Sequence, residues 1–155
     1  MTYFPRDLEA VRQECRSLVR KRALISAGAA VVPVPLMDVV VDAGILMQLI
    51  PEISLRFGLA QNNIDAMEPK YQTHVWSIIR KRGSQLIGIV VTRELVRRSF
   101  GNYVGRLAST QVAKFIPFGG QLVAAGLSYF VMRQIAYDHI EDCFAVARSA
   151  QTELN

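Results

Sequence analysis

Apolar residues recur every three or four positions along most of this chain, which is the spacing of one face of an α-helix. The stripe near the N-terminus consists of Leu8, Val11, Cys15 and Leu18. The stripe near the C-terminus consists of Ala136, Ile140, Cys143, Ala147, Ala150 and Leu154. Both segments are predicted to be amphipathic helices. We expect buried thiols at both cysteines, and apolar surface on the C-terminal stripe that is left over for another chain.

Proline and glycine divide the apolar segments between the terminal helices. Pro33 and Pro35 separate a first apolar arm from a helix that is predicted to run from about Pro35 to Phe57. Pro51 is expected to kink this helix, because proline removes a backbone hydrogen bond. Gly58 suits its C-terminal end, and a turn is expected after it.

Helical spacing resumes further along the chain and is predicted to form a helix over 71–100 and a shorter one over 102–115. Pro117, Gly119 and Gly120 are interpreted as a helix break. A long helix is predicted from about Gly120 to the C-terminus. Short β-branched runs lie inside these helical patterns, so no strand is predicted.

Two segments of the chain resemble each other weakly. Arg-Lys-Arg is followed by an apolar arm both at 20–22 and at 80–82, and 35–45 resembles 117–127. This similarity indicates either an internal repeat or a coincidence. The fold prediction is an all-α helical bundle of two apolar hairpins, broken by proline and glycine and braced by long amphipathic terminal helices. A single domain, 1–155, is expected.

The composition is more apolar than that of most soluble domains, yet more polar than that of an integral membrane bundle. Hydrophobic residues make up 51% of the chain and charged residues 20%. The longest uncharged runs, 23–37 and 115–132, contain proline or glycine, whereas a spanning helix needs about 20 predominantly apolar residues. Simple spanning helices are therefore disfavoured, and a buried or shallow hairpin is expected.

Basic residues border the apolar arms. The chain has 18 Lys and Arg against 13 Asp and Glu, a net charge of +5. The candidate lipid or partner contacts are Arg20, Lys21, Arg22, Arg80, Lys81 and Arg82. Such clusters bind anionic lipid, and the alternative is a solvated helix face. The N-terminus lacks the apolar core of a signal peptide, so the protein is expected in the cytoplasm. It could there be attached peripherally to the inner face of the cytoplasmic membrane.

Asp38 and Asp42 lie in the most apolar part of the chain, four residues apart, and share a face if the segment is helical. Asp38 would lie in the first turn after Pro35, where a carboxylate is favoured by free N–H groups and the helix dipole. Asp42 would need a polar partner from another helix. We interpret them as a structural polar pair rather than a catalytic one.

Motifs for enzyme chemistry are absent from the sequence. It contains no P-loop, no G-x-S-x-G and no CxxC. His139 and Cys143 have the i, i+4 spacing of metal ligands, but a solvated polar face beside a core cysteine is the favoured interpretation. No nucleic-acid-binding signature is present. We therefore predict no catalytic residues, metal, cofactor, nucleic acid or small-molecule substrate.

A family resemblance rests on three features of the sequence. These are Pro33, Pro35 and Asp38, the apolar helix that follows them and ends at 57–58, and a later Pro-Gly segment at 116–120. This arrangement resembles the YcjF-like helical domain, domain of unknown function 697, which is often fused to bacterial GTPases. The resemblance implies an all-helical, membrane-associated module linked to GTPases, with no known catalytic residues.

Together these observations predict a non-catalytic helical module for membrane association or interaction. It would work with a separate GTPase, another protein partner or further copies of itself. The alternative is a soluble oligomeric scaffold or inhibitor-type interaction protein with no membrane role.

Overall fold

The computed structural model describes residues 3–30, 37–82, 86–87, 98 and 116–154, and every regular element in these ranges is a helix. The chain is therefore all-α, as predicted. The helices are α1 Leu8–Ala30, α2 Met37–Arg56, α3 Gln61–Asp65, α4 Pro69–Arg82 and α5 Ile116–Leu154. Within the described residues, no helix combines the length and the apolar character needed to cross a membrane.

Helix α1 begins after Asp7, whose carboxylate accepts a hydrogen bond of 2.8 Å from the Ala10 N–H. This bond satisfies one of the backbone donors that have no partner inside the first turn. The helix continues past the predicted amphipathic segment to Ala30. Val19 and Ala23 extend its buried stripe by two more positions.

Helix α2 ends at the glycine that the sequence indicated. Gly58 has φ +74°. Its N–H donates to Leu55 O (3.0 Å), and the Leu59 N–H donates to Ser54 O (2.8 Å). These two bonds form a Schellman motif, which satisfies carbonyls that the end of a helix leaves free. Pro51 lies inside the helix.

The predicted helix over 71–100 is wrong in its length. Helix α4 ends at Arg82, and Leu86 and Ile87 lie in a bend and a turn. The sequence after Arg82 is Gly-Ser, two residues with low helix propensity. The predicted turn after Gly58 also contains a short helix, α3. The helix predicted over 102–115 lies outside the described residues.

The predicted break at Pro117, Gly119 and Gly120 is also wrong, because α5 already begins at Ile116 and includes all three residues. Proline is tolerated in the first helical turn, where its missing N–H would have no partner inside the helix. The boundary was therefore placed about one turn too late. Pro33 and Pro35, the other predicted breaks, lie outside the described residues.

The chain divides into two compact units. Unit 1 consists of Met1–Ser17, Ile50–Val91 and Tyr137–Asn155, and unit 2 of Leu18–Leu49 and Thr92–Ala136. The core of unit 1 includes Leu8, Cys15, Ile53, Phe57, Ile64, Val75, Ile79, Ile140, Cys143, Ala147 and Ala150. The core of unit 2 includes Val19, Ala23, Leu46, Leu49, Val131, Met132, Ile135 and Ala136.

The burial of the C-terminal stripe corrects a third expectation. Ile140, Cys143, Ala147 and Ala150 are buried within unit 1, so these positions do not supply apolar surface for another chain. The expectation about the cysteines is confirmed, since Cys15 and Cys143 are both free and buried.

Candidate functional site

A surface of mixed basic and apolar character lies on the second half of α1, in unit 2. Arg20, Lys21, Leu24 and Ile25 are all exposed, with Leu24 at 64% and Ile25 at 59%. Arg20 and Leu24 are four residues apart, as are Lys21 and Ile25, so each basic residue lies one turn from an apolar one on the same side of the helix. We call these four residues the α1 face.

The burial pattern explains why the α1 face points outward. Val19 and Ala23 are fully buried on the other side of α1, and Arg22, between the two sides, is half-buried. In this part of α1 the smaller side chains Val19 and Ala23 are therefore buried, and the larger Leu24 and Ile25 are exposed. The sequence indicated the basic triplet but not the exposure of Leu24 and Ile25.

The second basic triplet has a different setting. Arg80, Lys81 and Arg82 are exposed and form the last turn of α4, where positive charge is favoured by the helix dipole. The large apolar side chains that are exposed in the described residues lie on other helices. The two triplets therefore differ, since the first lies in the middle of a helix and the second at a helix end. This difference weighs against the repeat interpretation.

The predicted polar pair is only partly described. Asp38 and Asp42 lie in the helical backbone of α2, with Asp38 in its first turn. Their side chains lie outside the described residues, so their role as a polar pair stays a prediction.

His139 is buried in unit 1, which makes the interpretation of a solvated face wrong at this position. Its imidazole is 1% exposed. Nε2 lies 2.9 Å from Ser54 Oγ, 3.2 Å from Ile50 O and 3.5 Å from Cys143 Sγ. Because the Ser54 hydroxyl donates to Ile50 O, this pattern assigns the ring proton to Nε2. Nδ1 then has no hydrogen-bond partner within the described residues.

Burial controls the protonation of this cluster. It lowers the pKa of His139 to about 4, although the hydrogen bond to Ile50 O opposes the change. Burial also raises the pKa of the Cys143 thiol well above its usual range. Outside this cluster, burial raises the pKa of the Cys15 thiol to about 11. A serine, a histidine and a cysteine in contact suggest nucleophilic chemistry, but a buried neutral thiol is a poor nucleophile. In this folded state the cluster is part of the core.

A second polar cluster joins α1 to α5 within unit 1. Arg12 donates to both carboxylate oxygens of Glu141, through Nε (2.9 Å) and Nη2 (2.6 Å), and Arg16 Nη2 donates to Oε1 (2.7 Å). The guanidinium of Arg12 lies 4.8 Å from the centre of the Phe144 ring, and that of Arg16 lies 5.6 Å from the Tyr137 ring. Spacing along the chain does not identify Glu141 as the partner of these two arginines, because Glu141 lies on a different helix.

Among the described residues, no group of three or more His, Cys, Asp or Glu side chains could hold a metal ion. The α1 face combines exposed basic and exposed apolar side chains, and we take it as the candidate functional surface. No protein-family model, curated protein or solved structure matches this chain.

Proposed function

We propose that this protein is a non-catalytic helical module that attaches to an anionic membrane surface through the α1 face. The observation that supports the proposal is the exposure of Leu24 and Ile25 beside Arg20 and Lys21. Peripheral attachment needs both a buried apolar area and attraction to anionic lipid, and the α1 face has both components.

The size of each contribution is consistent with reversible attachment. A basic residue near an anionic leaflet contributes about 1 kcal/mol. Full burial of a Leu or Ile side chain contributes about 1.5–3 kcal/mol, and partial insertion contributes less. Two residues of each kind support binding that depends on both lipid charge and insertion. We propose the cytoplasmic side of the membrane as the location and, on the basis of the family resemblance, a separate GTPase as the protein partner.

The alternative function is a soluble oligomeric scaffold or inhibitor-type interaction protein. Leu55 on α2 and Phe130 on α5 favour it, since both are large apolar side chains exposed outside the α1 face. Single exposed apolar residues are common on protein surfaces, which is why the membrane proposal ranks first.

Flotation with vesicles tests the membrane proposal. The protein is expected to float with vesicles containing phosphatidylserine at low salt and to float less at high salt, because salt screens exposed charges within about 8 Å at physiological ionic strength. Arg20→Glu/Lys21→Glu should abolish flotation at low salt. Leu24→Ser/Ile25→Ser should weaken it while leaving its salt dependence in place.

A matched control comes from the second triplet. Arg80→Glu/Lys81→Glu changes the net charge by the same amount on a helix with no large exposed apolar side chain among its described residues. It should reduce flotation much less than the α1 variant. If both variants lost flotation equally, the binding would be explained by the net charge of the protein and not by the α1 face. Absence of flotation in every condition would reject the membrane proposal and promote the soluble scaffold, for which light scattering should show an oligomer.

A further inference from the structure

A surface groove lies between the end of α4 and the last part of α5, within unit 1. Its volume is about 440 Å³, and it is lined by Arg82, Phe144, Ala145, Arg148, Ser149, Thr152 and Glu153. The residues from α5 form two adjacent rows with a four-residue spacing, which places them on one side of the helix. The volume falls within the range of small-molecule sites, about 300–1,000 Å³.

The two arginines of the groove have no carboxylate partner. In the part of the chain that the structure describes, neither the guanidinium of Arg82 nor that of Arg148 forms an ion pair or donates a hydrogen bond. Arg12 and Arg16, by contrast, share Glu141. Two exposed guanidinium groups at one groove are therefore available to an external anion.

The other groups of the groove narrow the choice of anion. Glu153, its one carboxylate, contacts Nε2 of His74 on α4. The Thr152 hydroxyl donates to Arg148 O, whereas Ser149 offers a hydroxyl as a further donor. Phe144 and Ala145 give the groove an apolar part. The arrangement suits an anion of two charges attached to an apolar or aromatic body.

We propose that this groove binds the phosphate monoester of a small ligand, with Arg82 and Arg148 holding the phosphate and Phe144 contacting the rest of the molecule. A phosphate monoester carries a charge of about −1.5 to −2 at pH 7, which matches two guanidinium groups better than a carboxylate does. Arginine also presents a planar fork of donors that fits phosphate oxygens. The inference does not depend on membrane attachment, and it adds a small ligand that the sequence did not indicate.

Titration with phenyl phosphate, followed by amide NMR, tests the proposal on the full chain. Saturable shifts are expected at the Ser149 and Thr152 amides. Benzenesulfonate, which has the same ring but a single charge, should bind about tenfold more weakly, and phenol should not bind. Arg148→Ala or Arg82→Ala should each weaken phenyl phosphate about tenfold or more, and Arg148→Lys should weaken it less.

Arg6→Ala is the matched control, because Arg6 is exposed in the same unit and the change removes the same charge. It should alter affinity less than twofold. A circular dichroism spectrum unchanged in all variants would show that the exposed arginines are replaced without unfolding. Equal weakening by Arg6→Ala and Arg148→Ala, or equal binding of phenyl phosphate and benzenesulfonate, would overturn the proposal, as would the absence of saturable shifts.

A competition experiment distinguishes the two sources of such a phosphate. Vesicles containing phosphatidic acid, but not those containing phosphatidylserine, should displace phenyl phosphate if the natural ligand is a lipid headgroup. Retention of phenyl phosphate in the presence of both vesicles would assign a soluble ligand. Either result supports the site. Arg20→Glu/Lys21→Glu separates the site from membrane attachment, since phenyl phosphate should bind that variant normally.

Discussion

The imidazole of His139 makes the stability of unit 1 sensitive to mild acid. Its pKa is about 4 in the folded protein and about 6.5 in an unfolded chain. Between these values the unfolded chain binds the proton and the folded one does not. His139 therefore does not reduce the free energy of unfolding above about pH 6.5, and it lowers that free energy as the pH decreases towards 4.

Replacing His139 with glutamine should remove this pH dependence. The two pKa values correspond to a loss of about 3 kcal/mol for the wild-type protein between pH 7 and pH 4. Urea unfolding at a series of pH values measures it. His74 is present in both proteins, so the difference between their profiles belongs to position 139. Parallel profiles from pH 6.5 to 5, above the range in which carboxylates titrate, would contradict the assignment.

Gly58 is a residue for which no side chain is suitable. Its φ of +74° disfavours any L residue, and an added Cβ would lie 2.7 Å from Tyr3 O. Gly58→Ala should lower the free energy of unfolding by about 2 kcal/mol or more, because the N-terminal segment must move away. Chemical denaturation, with circular dichroism as the signal, measures this loss.

Gly44 provides a control of opposite sign. It lies inside α2, and an added Cβ would meet nothing within 4 Å. Gly44→Ala should raise stability by about 0.5–1 kcal/mol, since alanine loses less conformational entropy in a helix. A loss of stability at Gly44, or none at Gly58, would be inconsistent with the described backbone.

At the scale of elements, α1 is held to α5 by one carboxylate shared between two arginines. Burial alone would raise the pKa of Glu141, but hydrogen bonds from Arg12 and Arg16 lower it below its usual value. The contribution of this cluster to stability is therefore present above about pH 4.5 and is lost as the pH falls further. The Glu141 side chain is 40% exposed, so solvent screening reduces the effect.

Glu141→Gln should destabilise the protein by about 1 kcal/mol, since two half-buried guanidinium groups lose their charged partner. The loss should decrease at high salt and can be measured by thermal or urea unfolding. Glu9→Gln is the control, because Glu9 pairs with Arg12 only within α1 (3.3 Å). A local pair of this kind contributes about 0.5 kcal/mol or less. An equal effect of both changes would argue against the link between the helices.

Across the molecule, the features that could be predicted from the sequence are those that depend on residues close together in the chain. The all-α class, the burial of both cysteines and the end of α2 at Gly58 follow from local spacing and from the conformational freedom of glycine. Helix boundaries were less predictable. The first turn of α5 accepts Pro117, which was interpreted as a break, and α4 ends at Arg82 although the apolar pattern continues.

The features that the sequence did not reveal depend on contacts between distant residues. Spacing alone cannot show that Glu141 pairs with Arg12, because the two residues lie on different helices. For the same reason it cannot show that His139 contacts Ile50 and Ser54. It also cannot show that the C-terminal stripe is covered within the same chain. The groove was missed for the same reason, because Arg82 and Arg148 are brought together only by the fold.

The pairing of α1 with α5 also has a consequence for synthesis on the ribosome. Arg12 and Glu141 are 129 residues apart. Because chains grow at about 5–20 residues per second, Glu141 is synthesised roughly 6–26 s after Arg12. During that time α1 lacks the contacts that α5 supplies in unit 1, including the ion pairs of Arg12 and Arg16 with Glu141. The nascent helix α1 is thus available to chaperones during this interval, and unit 1 can complete its fold only after α5 has left the exit tunnel.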